Sequence, residues 1–222
     1  MSFQGRTSSQ LELLDHRSEK RISSELHGQK REITAHNRAV LLQKFVVKMH
    51  LAKRLHYDFR LGWGGVLKSW AVPLGPSYYP GDRREAVEME DHDPKYITRE
   101  GVIPDGMPGA GPTMPWDLGL WEPLPEFWDV EQSLWIGCLK FTLRGEKLKG
   151  KWALIRRSTT SWSGRRPVWD LIKIPDSFAR GKNAPSIINA APNSVLSGRS
   201  LGEVMRLSYE APKTREFGGF LF

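Results

Sequence analysis

Seven consecutive residues, Leu55-His56-Tyr57-Asp58-Phe59-Arg60-Leu61, alternate apolar and polar side chains. In a β-strand successive side chains leave opposite faces, so such a run sorts itself into two sets. Leu55, Tyr57, Phe59 and Leu61 share one face and can enter a core. His56, Asp58 and Arg60 share the other. His50 lies six residues before His56, close enough to return to the same place after a short bend. A chain built around this strand has to bury one side of it and decide what to do with a row of charge on the other.

The polar row has a chemical logic. Two neutral imidazoles and a carboxylate suit a divalent transition metal and leave open positions for water or substrate. Arg60 cannot ligate a cation, but its planar guanidinium matches an anion bidentately, and phosphate is a good geometric fit. A metal beside an arginine points to a phosphoester held between them. The plainer alternative is a strand whose wet face merely carries polar residues.

Composition narrows the class. The 222 residues fit one large domain, or one domain with tails, and 39% of them are hydrophobic, enough for a sizeable core. Lys and Arg exceed Asp and Glu by 33 − 25 = 8, and a basic surface favours polyanions such as nucleic acid. Nine tryptophans leave room for one or two exposed rings to stack on bases. The single cysteine, Cys138, excludes an intrachain disulfide framework and a zinc ribbon, so a metal would have to be held by histidine and carboxylate. In the apolar context LWIGCLKF it reads as a buried structural thiol. The N-terminus MSFQGRTSSQ lacks the apolar stretch of a signal peptide, and no apolar run approaches the roughly 20 residues that span a bilayer. The expectation is a soluble cytoplasmic protein without a membrane partner, nucleoid-associated if the source is prokaryotic.

Taken in order, the chain divides into three. Residues 1–40 read as a basic arm, mobile or partly helical over about 10–27, with Arg17, Lys20, Arg21, Lys30 and Arg31 available to phosphates. Residues 41–175 read as a mainly β domain. A strand at 41–52 precedes the central one; Gly62–Gly65 is a glycine-rich turn, and Val66–Val72 is its hairpin partner. Glu85–His92 alternates again, with Arg84 at its start and His92 at its end. Residues 101–119, rich in Gly and Pro, read as an ordered loop or a run of very short strands. The acidic stretch within 121–135 reads as a loop. Leu139–Leu143 and Lys151–Ile155 read as a hairpin, and Trp169–Ile174 as the last strand. These segments predict a compact antiparallel β-barrel with short helices and flexible arms at both ends, a sandwich being the other common outcome of such a pattern. Residues 176–222 read as a tail or linker, with a short helix at 201–207.

Several blocks occur together in a recognisable order: FVVKMHLAKRLHYDFRL, then GVLKSWAVPLGPS, EDH, EGVIPDG and GAG. From about Phe45 to Lys173 the chain resembles the 3′-phosphoesterase domain associated with bacterial and archaeal DNA ligase D. The resemblance implies a β-barrel with a manganese-dependent activity that removes a 3′-terminal ribonucleoside and then the remaining 3′-phosphate, leaving a 3′-OH for end joining. It implies His50, His56 and Asp58 as metal ligands and Arg60 as a phosphate ligand. It gives His92 a role on the phosphate, makes Arg84 a further phosphate-binding arginine, and puts Tyr96 in the place of a tyrosine near that histidine. Lys68 is an additional candidate phosphate contact. The implied substrates are DNA or RNA-terminated DNA primer-template 3′ ends, and the implied partners are a DNA ligase, a repair polymerase and a Ku-type end-binding protein. The chain departs from the family pattern at Lys48, often Gln; at Leu74, often basic; and at Asp105, Met107 and Pro108 in the loop before GAG.

Two rival functions stay open on sequence grounds. A catalytically weakened relative would grip DNA ends and recruit a ligase without hydrolysing them. His56-x-Asp58 with His92 also fits the outline of a two-histidine, one-carboxylate iron oxygenase that uses 2-oxoglutarate, in which His50 would have no role. Hydrolysis in added Mn²⁺, or its absence, separates the first from a working esterase. Oxygen dependence identifies the second.

Overall fold

A computed structural model describes residues 43–157 and 166–210. The proposed N-terminal arm and its helix therefore lie outside the described residues.

Among the described residues, nine antiparallel strands form one sheet. They are β1 (Gln43–Leu51), β2 (Leu55–Trp63), β3 (Val66–Val72), β4 (Arg84–His92), β5 (Gly101–Ile103), β6 (Gly111–Pro123), β7 (Cys138–Gly145), β8 (Lys149–Arg156) and β9 (Val168–Lys173). Their order is β1-β2-β3-β4-β9-β8-β7-β6-β5, and β1 also pairs with β6. That extra pairing closes eight strands into a barrel and leaves β5 as a short addition on β6. Closure removes the free edges that an open sheet would expose to other chains. The fold is the antiparallel β-barrel the alternating segments predict.

The barrel interior is aromatic. Phe45, Phe59, Trp70, Trp116, Trp121, Phe141, Trp152 and Trp169 are all buried in one core. Phe59 stands among Phe45, Trp70 and Phe141, with ring centroids 6.5, 6.5 and 5.9 Å away. Tyr57, Phe59 and Leu61 enter this core as the alternation requires. Leu55 does not: it sits at the turn end of the β1–β2 hairpin, opposite Leu51, where the barrel has ended, and is 45% exposed. Cys138 is half-buried rather than enclosed. Trp128 and Trp135 are exposed.

Two segments differ from their sequence reading. Residues 111–123 form β6, the longest strand, despite Pro112 and Pro115. Proline lacks the N–H a ladder needs and is tolerated at bulges. Here the register of β1 against β6 slips between Val47 and Lys48, so that Val47 faces Asp117 and Lys48 faces Pro115. The acidic stretch, in turn, contains a 3-10 turn at Pro125–Phe127 and helix α1 (Val130–Ile136). The Asp129 carboxylate accepts from the Gln132 amide and caps the helix, and Gly137 ends it at φ 90°. After β9 come helices α2 (Ile187–Ala190) and α3 (Leu201–Glu210). Ile187 and Val204 are buried in the core cluster, so part of the segment read as a tail or linker packs on the barrel. Among the described residues no helix is long and apolar enough to cross a membrane.

Candidate active site

The site lies on the outer face of β1 and β2. The antiparallel register sets His50 directly opposite His56, Lys48 opposite Asp58 and Val46 opposite Arg60. Residues paired across a ladder project to the same side. The face is nevertheless sheltered: His50, Asp58 and Arg60 are only 6, 8 and 7% exposed. Part of the cover comes from the segment that follows β4. Lys48 Nζ donates to the carbonyls of Tyr96 at 3.0 Å and Arg99 at 2.5 Å, and Gly109 O lies against His50. Gly111 lets this segment return to the hairpin tip. It has φ 131°, and a Cβ there would collide with the Leu51 carbonyl.

Asp58 is the hub. Its Oδ2 lies 3.0 Å from Arg60 Nη2 and 3.5 Å from His50 Nδ1, and its Oδ1 lies 3.4 Å from His56 Nε2. One ligand atom from each of His50, His56 and Asp58 can be chosen so that all lie within 4.8 Å of one another. Backbone carbonyls select the ring nitrogens. His50 Nε2 is 2.7 Å from Gly109 O, and His56 Nδ1 is 3.0 Å from Arg54 O. A carbonyl only accepts, so these nitrogens carry the protons of the neutral rings. The lone pairs left over, on His50 Nδ1 and His56 Nε2, both point at a carboxylate. Three electron-rich groups converging in this way call for a cation between them. Orientation of ligating imidazoles by carbonyls is how metal sites are commonly braced. The donor set fits a divalent metal.

The electrostatics agree. Burial drives the Asp58 carboxyl upward, but the hydrogen bonds that His50 and His56 donate to it in their protonated forms, and the charge of Arg60, outweigh it and hold the group far below the usual carboxylate range. The hydrogen bond with Asp58 raises His56, against the effect of burial. Burial, then the charge of Arg60, lower Lys48 to about 8. Arg60 Nε is buried without a partner, a donor available to an anion.

The remaining sequence candidates separate. His92 comes to the site through Ser69: its Nδ1 is 3.1 Å from Ser69 Oγ, and Ser69 faces Arg60 across the β2–β3 ladder. Burial, then the charge of Arg60, lower its pKa. It does not belong to the three-residue metal group, which uses His50 instead. Tyr96 sits on a 3-10 turn with its carbonyl on Lys48, and its ring is flanked by Lys95 and Arg99. Arg84 lies at the other end of β4 from His92 and pairs with Asp82 at 2.9 Å, while its Nε is buried without a partner. Lys68 pairs with Asp91 at 2.7 Å. It shares the inward parity of Trp70 and Val72, so it is Ser69, not Lys68, that stands beside Arg60. Ser69 and the buried Lys48 are the side chains sequence reasoning left out of the site. The parity of VLKSWAV, with Trp70 and Val72 inward, was the available signal for Ser69.

A family profile described as the DNA Ligase D 3'-phosphoesterase domain matches residues 48–156, which include the whole polar face from Lys48 through His92. The chain is 46% identical over 160 residues to the multifunctional non-homologous end joining protein LigD of Pseudomonas aeruginosa, across 72% of this chain. This chain belongs to the DNA ligase D 3′-phosphoesterase domain family. The Mycolicibacterium smegmatis protein of the same name is 39% identical over 140 residues, 61% of this chain. The multifunctional non-homologous end joining DNA repair protein LigD of Mycobacterium tuberculosis is 39% identical over 122 residues, 55% of this chain. The matched regions span 18, 18 and 16% of those three relatives, which are much longer proteins.

Proposed function

We propose that this domain is a divalent-metal-dependent phosphoesterase acting at DNA 3′ ends, where it removes a terminal ribonucleoside, a 3′-phosphate, or both in turn to leave a 3′-OH. The observation that carries this reading is the convergence of His50 Nδ1, His56 Nε2 and the Asp58 carboxylate, with Arg60 beside them. His50, His56 and Asp58 would hold the metal, Mn²⁺ by family resemblance. When bound it would supply Lewis-acid polarisation of a phosphoryl oxygen and a water of lowered pKa.

The chain's own residues do the rest. Arg60 is fixed to Asp58 through Nη2, which leaves its free donors to bind phosphoryl oxygens and stabilise the charge that builds on them. His92, set near Arg60, handles a proton at the bound phosphate. Arg84, Lys68 and Tyr96 are proposed to act further out, on the flanking backbone of the DNA. The sheltered face excludes bulk water, which strengthens each of these electrostatic contacts.

The relatives' names place those proteins in non-homologous end joining, and the same setting is proposed here, in the cytoplasm at chromosomal DNA ends, alongside a DNA ligase, a repair polymerase and a Ku-type end-binding protein. The metal assignment is tested by Mn²⁺ binding followed by electron paramagnetic resonance. One site is expected in the wild type, with affinity lost in His56→Ala and Asp58→Asn. Unchanged affinity in both variants would overturn it.

A further inference from the structure

Ser69 is 3% exposed and lies on β3 directly across from Arg60. Its hydroxyl donates to the Leu67 carbonyl at 2.8 Å, which commits its only proton. What it offers His92 Nδ1, 3.1 Å away, is therefore a lone pair. The same nitrogen lies 2.8 Å from the Glu90 carbonyl, which also can only accept. Two acceptors meet on Nδ1, so Nδ1 carries the proton of the neutral ring and shares it between them. Nε2 is left with its lone pair free.

We propose that Ser69 is a positioning residue: with the Glu90 carbonyl it locks His92 in the Nδ1–H tautomer, so that His92 meets a hydroxyl at the bound phosphate as an acceptor through Nε2. The local backbone explains why a serine is needed. The β3–β4 register is irregular between Leu67 and Ser69, where Leu67 faces His92 but Ser69 faces Met89. The extra residue on β4 carries His92 out of regular alternation. A ring at such a bulge needs a second tether besides its own chain, and the Ser69 hydroxyl provides it from the neighbouring strand. The carbonyl of Leu67 orients that hydroxyl, giving a relay of fixed polarity from Leu67 through Ser69 to His92. In other histidine-dependent enzymes, presenting the wrong tautomer with unchanged geometry is enough to cripple the reaction.

The kinetic part rests on the phosphoesterase reading; the tautomer part does not. The first test is nitrogen-15 NMR of imidazole-labelled, metal-free protein. His92 is expected to show a protonated Nδ1 and an unprotonated Nε2 above its pKa. The opposite assignment would overturn the proposal whatever the enzyme does. The second test is hydrolysis of a 3′-phosphate DNA end. Ser69→Ala should lower kcat by about tenfold, a fraction of the roughly 10²–10⁴-fold that a positioned acid or base contributes, with KM within about twofold of the wild type. Ser69→Thr, which keeps the hydroxyl, should restore most of kcat. Equal losses in the two variants, or a KM effect alone, would show a merely structural role and overturn it. A wild type that hydrolyses nothing would refute the phosphoesterase reading while leaving the tautomer result to stand or fall by itself.

Discussion

Asp58→Asn should destabilise the metal-free protein by about 3 kcal/mol at pH 7. The carboxylate sits 3.0 Å from Arg60 Nη2, and the two side chains are only 11 and 9% exposed. Removing one partner of a buried ion pair strands the other and costs about 3–5 kcal/mol. The amide keeps an oxygen that Arg60 can still donate to, which places the loss at the low end of that range. For a domain of this size that is a fall in Tm of roughly 6–12 °C. The assay is thermal unfolding in excess chelator, with Arg60→Met and the double variant completing the cycle. The double variant should lose clearly less than the sum of the singles, because no charge is left stranded. The pH dependence has a definite sign. A carboxyl whose folded pKa is depressed contributes stability above its unfolded value of about 3.9 and loses it as pH falls further. The gap between wild type and Asp58→Asn should therefore be widest near neutrality and narrow progressively as pH falls below about 4. A Tm change under about 2 °C at pH 7, or a gap that does not narrow in acid, would refute the idea that Asp58 is the electrostatic hub.

Other consequences are as direct. Gly111→Ala forces a Cβ into the Leu51 carbonyl and imposes φ 131° on alanine; Mn²⁺ affinity should drop as the segment carrying Gly109 moves off His50, and a crystal structure with the Gly109–His50 contact intact would refute this. Because Asp58 raises the pKa of His56, protons compete with the metal there. Apparent Mn²⁺ affinity should weaken as pH falls through and below the raised pKa, and calorimetric titrations that show no pH dependence between 6 and 8 would contradict it. Lys48→Met removes the side-chain donor to the carbonyls of Tyr96 and Arg99, leaving Tyr96 O only the Arg99 amide; amide exchange over 96–99 should quicken while the barrel strands stay protected, and uniform protection would show that Lys48 is not the tether. DNA affinity should fall steeply with salt, as expected when basic groups displace counterions from phosphates; a flat response would argue against backbone binding.

The sequence made the central face legible because its strand alternates without a break and its hairpin partner follows a two-glycine turn, Gly64-Gly65, at φ 59° and 79°. Asp58 and Arg60 share a side by that alternation, while the β1–β2 hairpin sets His50 opposite His56. What it obscured has physical causes. Pro112 and Pro115 disguised β6, since the bulge that accommodates Pro115 exists only once β1 is in place. The cap of α1 is local, but its acidic, aromatic surroundings hide it. Leu55 has the parity of a core residue and lies beyond the barrel's end, a fact of barrel length rather than of pattern. Lys68 drew notice as a cation, whereas parity favours the less conspicuous Ser69. The shelter over Asp58 comes partly from carbonyls of residues 96–109, and no side-chain pattern announces a carbonyl.

The most direct measurement is a primer–template assay in Mn²⁺, with primers ending in a single ribonucleotide or a 3′-phosphate, comparing wild type with His56→Ala. The proposed function predicts that the wild type yields a 3′-OH end from at least one of these primers, only with metal, and that the variant yields none. Firm DNA binding with no hydrolysis by the wild type would contradict it and leave an end-binding module in its place.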